Sequence, residues 1–166
     1  MRNYHNEMAH LNSDNTSSSI ITGTAMSTSH NHINKMLKHL ASRLQTPLEL
    51  KNGVCALMDK ENGREVIVIE VPEHSDSAVL HCSLFSLSTN VSSTILRQLL
   101  LLNFEISAMQ GCWLAVDEKD KLCLCHVYSL DKADEQHFTD TVMGFINQVN
   151  DVRAFVSQMF ENRFVG

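Results

Sequence analysis

Cys123 and Cys125 stand one residue apart, His126 follows directly, and Cys112 precedes them in a neighbouring apolar run. Thiolates and imidazoles are the side chains that hold zinc or act as activated nucleophiles. A structural zinc site, however, takes four ligands, with short spacings paired across two loops. These cysteines fall inside strand-like runs instead. At a period of two, Cys123 and Cys125 share one face and His126 takes the other. Burial there keeps a thiol protonated and unreactive. With Cys55 and Cys82 the chain has five cysteines, an odd number set in apolar segments. That pattern fits small buried hydrophobes in a reducing cytoplasm rather than a secreted disulfide framework.

Other chemistry is thinner still. His30 and His32 have the spacing of a chelating pair on a strand, with His39 further on, but they lie where a polar tail runs into a helix. Asp117 and Glu118 are paired carboxylates in a charged turn. No nucleophile elbow, H-E-x-x-H, phosphate-cradling glycine loop or dinucleotide fingerprint occurs. No catalytic residue, metal ligand or cofactor site is therefore assigned. A thiol- or metal-dependent enzyme built on Cys112, Cys123, Cys125 and His126 stays as the rival reading, which bound zinc would revive.

The elements that would position these residues come from periodicity and punctuation. Met1–His30 is rich in Ser, Thr, Asn and His and too poor in apolar residues to offset its ordering entropy, so it is expected to be a mobile polar tail. A single domain over 31–166 follows. Ser29 to Asn31 offer helix caps. Ile33, Met36, Leu37, Leu40 and Leu44 then form one apolar helical stripe, which Pro47 stops. Val54–Met58, Glu65–Val71 and Ala78–Phe85 read as strands, with Asn62-Gly63 as the turn in the first hairpin. Ser88, Thr89 and Asn90 are candidate caps for a helix over Val91–Asn103. After the link Glu105–Gln110, Cys112–Val116 and Leu122–Tyr128 make a second hairpin. Asp134–Phe160 closes the chain as a long helix whose seam is Phe138, Val142, Phe145, Val149, Val152, Val156 and Met159. The order α-β-β-β-α-β-β-α predicts an α+β sandwich, a twisted, mainly antiparallel sheet with flanking helices.

The second helix carries the sharpest demand. Leu99, Leu100, Leu101 and Leu102 cover every direction around its axis, and Ile95 and Leu96 precede them. A helix lying on one sheet needs one apolar stripe, so this helix is covered twice, either by its own chain or by a second copy. With the other elements committed to the sheet, a twofold contact is the economical answer. The residues expected in that interface are Ile95, Leu96, Leu99, Leu100, Leu102 and Trp113. A formal net charge of -6 and the lack of a basic cluster beyond Lys35, Lys38 and Arg43 argue against nucleic acid as a partner. No apolar run reaches the length of a membrane span, and no apolar leader opens the chain, so membrane insertion is not expected.

Two stretches resemble a known family. LLLLNF (Leu99–Phe104) is similar to the end of the second helix in class I type III secretion chaperones, the Tir-chaperone-like family. The following GCWLAVDEKDKLCLCHVYSLDKADEQHFTDTVMGFINQV resembles that family's strand, charged turn, strand, short link and long helix, and MDKENGREVIVIEV resembles its first hairpin. The resemblance runs from about Asn31 to Phe160. It implies a cytoplasmic bacterial homodimer that is not an enzyme. It would hold the chaperone-binding region of one or more secreted effectors soluble and export-competent, by apolar grooves and by adding a strand to the sheet. Carried over by position, the effector groove comprises Ile33, Met36, Leu37, Leu40, Leu44, Val54, Ala56, Met58, Ile67 and Ile69, residues that suit plain core equally well. Since nothing in the chain binds nucleotide, release needs an outside energy source, which makes the secretion ATPase a candidate partner. A regulatory homologue that sequesters another component of the secretion system is the alternative. The tail Met1–His30 is longer than such chaperones usually carry.

Overall fold

A computed structural model describes residues 19–72, 75–87, 91–131 and 134–161. Its elements are α1 (Ser19–Leu44), β1 (Val54–Met58), β2 (Glu65–Glu70), β3 (Ser77–Ser86), α2 (Ser93–Leu102), α3 (Ile106–Met109), β4 (Trp113–Val116), β5 (Lys121–Ser129) and α4 (Glu135–Glu161). All five strands form one antiparallel sheet in the order β1-β2-β3-β5-β4. The fold is the α+β sandwich expected from the sequence, with α1 and α4 side by side on one sheet face.

The core explains the arrangement. On β3 and β5, Ala78, Leu80, Cys82, Leu122, Leu124 and Tyr128 are buried. Phe138, Val142, Phe145, Val149, Val152 and Val156 of α4 are buried in the same cluster. Ile33, Met36, Leu37 and Leu40 of α1 join them, each fully buried. A hydrogen bond ties the two helices: the Thr139 hydroxyl donates to the Glu135 carbonyl and so accepts the His39 Nδ1 proton at 2.9 Å. His39 thus works in the frame, not in a metal pair.

Turn chemistry sets the boundaries. Gln45 takes a left-handed φ of 50° and Thr46 N–H bonds back to Ala41 O, a Schellman ending that Pro47 follows. Asn52 and Gly53 both have positive φ, and Lys51 and Val54 exchange two backbone hydrogen bonds around them. A side chain at Gly53 would sit 3.0 Å from Val71 O, so only glycine fits that turn.

Three expectations need correction. The first helix begins at Ser19, well upstream of the expected caps at Ser29 to Asn31, so part of the stretch read as tail has helical backbone. Serine and threonine are only mildly unfavourable in a helix, and no proline interrupts the run. Residues 1–18 lie outside the described residues, as do Ser88, Thr89 and Asn90. The cap of α2 is Ser92, whose hydroxyl accepts from Ile95 N–H. The link Glu105–Gln110 contains the extra short helix α3, ended by left-handed Gln110 and Gly111.

Candidate binding surfaces

The four consecutive leucines of α2 divide between inside and outside. Leu99 is buried in the protomer core, while Ile95, Leu96 and Leu102 are half-buried. Leu100 is 63% exposed and Leu101 47%. Just beyond them Phe104 and Ile106 are 83% and 80% exposed, and Trp113 and Val116 of β4 are exposed beside them. Large apolar side chains left bare over one contiguous region mark an interaction surface. Of the six residues expected in a dimer interface, Leu100 and Trp113 lie open, three are partly covered, and Leu99 belongs to the core of its own protomer. Phe104 and Ile106, outside that expected set, join the exposed residues; both fall past the helix end, Ile106 within the stretch Glu105–Gln110 read as a link. Their signal was a pair of large apolar residues in a short connection.

The expected effector groove divides in the same way. Ile33, Met36, Leu37, Leu40, Ile67 and Ile69 are buried in the core under α1 and α4. Leu44 and Val54 are half-buried, and Ala56 and Met58 are exposed. The open residues therefore gather on β1, an edge strand. Backbone direction along β1 follows from its ends. Gly53 O accepts from Val71 N–H, toward β2, whereas both polar groups of Val54 bond Lys51 on the opposite side. By alternation, Ala56 and Met58 also aim their N–H and C=O outward. Asp59 N–H returns inward to Arg64 O, which fits this phase. Among the described residues nothing pairs with the outward groups of Ala56 and Met58.

The opposite edge, β4, is partly covered. Leu114 N–H donates to Asn103 Oδ1 at 2.7 Å, and Asn103 Nδ2 donates to Leu114 O at 3.3 Å. Cys112 N–H donates to Met109 O.

The cysteines gather no ligand set. Cys112 and Cys123 are buried and Cys125 is half-buried. Burial pushes the Cys123 thiol up to about 12, and those of Cys112 and Cys125 up to about 11. All three thiols are therefore mostly protonated near neutral pH when no metal is bound. His126 Nδ1 lies 3.1 Å from Gly111 O, so it carries the proton and donates. His32 is exposed on α1. Asp117 accepts from the backbone N–H groups of Lys119 and Lys121, the role of a turn residue. Among the described residues, no group of three or more His, Cys, Asp or Glu side chains is placed to hold a metal ion. Nor is any helix of the described residues long and apolar enough to cross a membrane.

No curated protein sequence matches the chain. Among solved structures, the ExsC–ExsE complex contains a chain that superposes with a TM-score of 0.60 at 17% identity, over 76% of this chain and 91% of that one. The HopA1–SchA chaperone–effector complex gives a TM-score of 0.60 at 15% identity, over 76% of this chain and 97% of the other. At such identities the likeness speaks for the fold. The family model described as Tir chaperone protein (CesT) family matches residues 35–153, which take in every strand, the C-terminal part of α1 and most of α4. This chain belongs to the Tir chaperone protein (CesT) family.

Proposed function

We propose that this protein is a cytoplasmic, dimeric type III secretion chaperone that keeps one or more effector proteins soluble and competent for export. The observation that carries the reading is the family match over residues 35–153. Two surfaces support the mechanism. The bare apolar band of Leu100, Leu101, Phe104, Ile106 and Trp113 suits a twofold contact with a second copy, because one self-complementary patch covers both partners. The unpaired edge at Ala56 and Met58 suits an incoming extended segment of the client, which would gain main-chain hydrogen bonds without folding. Ala56, Met58, Val54 and Leu44 are the accessible members of the client surface. The six core residues would serve it by shaping the sheet and helices beneath. The action in this reading is binding. The secretion ATPase remains the candidate agent of release.

Recovery of the tagged protein from its native cell, with mass spectrometry of what travels with it, tests the reading. An exported protein bound through a defined segment is the expected result. Recovery of only a regulatory component of the secretion system would favour the sequestering homologue instead. A second arm replaces Ala56 with proline. The Ala56 N–H points away from β2, so the ladder to β2 survives while the outer edge loses a donor. Client binding is expected to fall by about two- to tenfold with the circular dichroism spectrum unchanged. Undiminished binding would remove strand addition from the mechanism.

A further inference from the structure

The run Leu99–Leu102 raises a question that hydrophobicity cannot answer: which leucine faces inward. Successive helical residues are about 100° apart, so rolling α2 by one position exchanges one leucine for another at the core. Apolar contacts are non-directional and supply little resistance to such a roll. Leu99 is the only fully buried side chain of α2. The next residue after the run, Asn103, makes two directional contacts with one strand residue, accepting from Leu114 N–H at 2.7 Å and donating to Leu114 O at 3.3 Å. A carboxamide bonded to both polar groups of one residue reproduces the pairing that a neighbouring strand would make. Asn103 is also the C-terminal cap of α2, so this pairing fixes the helix at its very end.

We infer that Asn103 is a positioning residue, a polar pin that sets the roll of α2 and thereby selects Leu100 and Leu101, rather than Leu99, for the interface with a second copy of this chain. A single polar residue that fixes register among interchangeable apolar ones is a known physical device. The inference deepens the dimer reading given above and rests on it. It also accounts for the covered middle of the β4 edge, since the same carboxamide occupies the outward groups of Leu114.

The test measures the dimer dissociation constant by sedimentation equilibrium, alongside methyl spectra of labelled leucines, for the wild type, Asn103→Leu and Asn103→Asp. In the wild type one set of leucine signals is expected. Asn103→Leu keeps helix and sheet content but loses the pin, so extra leucine signals should appear. If only about one third of protomers then hold the competent roll, that fraction enters the dimer equilibrium twice and raises the dissociation constant about tenfold. Asn103→Asp separates a pin from mere packing. At pH 7.5 the introduced carboxylate still accepts from Leu114 N–H but repels Leu114 O, which weakens the dimer. Below its ordinary pKa of about 4 the carboxyl gains a proton to donate, and affinity should recover relative to wild type at the same pH. Should Asn103→Leu fail to fold, this pH rescue still decides the matter. Wild-type affinity and a single set of leucine signals in both variants would overturn the inference. A wild type that is monomeric at micromolar concentration would sink the dimer reading, while the leucine spectra would still report on the pin.

Discussion

At the level of single residues, the thiols of Cys112, Cys123 and Cys125 lie above their ordinary value of 9.0 because burial disfavours the thiolate. A folded-state pKa raised above the unfolded one contributes stability that is complete below about 9 and declines as pH rises through about 11 to 12. Urea unfolding midpoints should therefore hold steady from pH 7 to about 9 and fall beyond it. At pH 8 a thiol reagent should label these cysteines slowly in native protein and quickly in urea. Two glycines give opposite expectations. Gly53, with its φ of 77° and Val71 O at 3.0 Å from a would-be side chain, should lose about 1–2 kcal/mol of stability on Gly53→Ala. Gly144 lies inside α4 with open space around it, so Gly144→Ala should add about 0.5–1 kcal/mol. Thermal and urea unfolding of both variants check the signs. The buried character of the cysteines was legible from their apolar neighbours. The need for glycine at position 53 was not legible in the sequence, because the approach of Val71 O is a tertiary fact.

Among the elements, α2 offers the sharpest contrast between neighbouring positions. Leu99→Ala removes a buried side chain and should destabilise the protomer by about 2–5 kcal/mol, visible in unfolding at any protein concentration. Leu101→Asp places a charge on an exposed position and should leave protomer unfolding within about 0.5 kcal/mol of wild type once dissociated, yet abolish the dimer in light scattering. An unchanged dimer in that variant would move the interface elsewhere. The strands and α4 were readable from period-two and period-four patterns with strong turn residues between them. The upstream limit of α1 was not, since weak helix formers leave the outcome to context. The groove residues illustrate a deeper limit. An apolar stripe such as Ile33, Met36, Leu37 and Leu40 reports that a surface is covered, not whether its own chain or a guest covers it.

For the molecule as a whole, antiparallel order with local hairpins made the architecture legible, because each strand pairs with a strand adjacent in the chain on at least one side and β3–β5 is the one non-sequential pairing. Size-exclusion chromatography with light scattering at micromolar concentration should return a dimer, and a monomer would withdraw that part of the proposal. The fold-back turn at Lys51–Val54 has a consequence for how firmly a client is held. It ends the open edge abruptly, so an added strand meets only the outward groups of Ala56 and Met58, one N–H and one C=O from each. At about 0.5–1.5 kcal/mol net per hydrogen bond, that contact supplies about 2–6 kcal/mol before the cost of ordering the guest. Such a contact is weak enough to let go. A client would be retained by the sum of several grips distributed along its length, and could be peeled away one grip at a time.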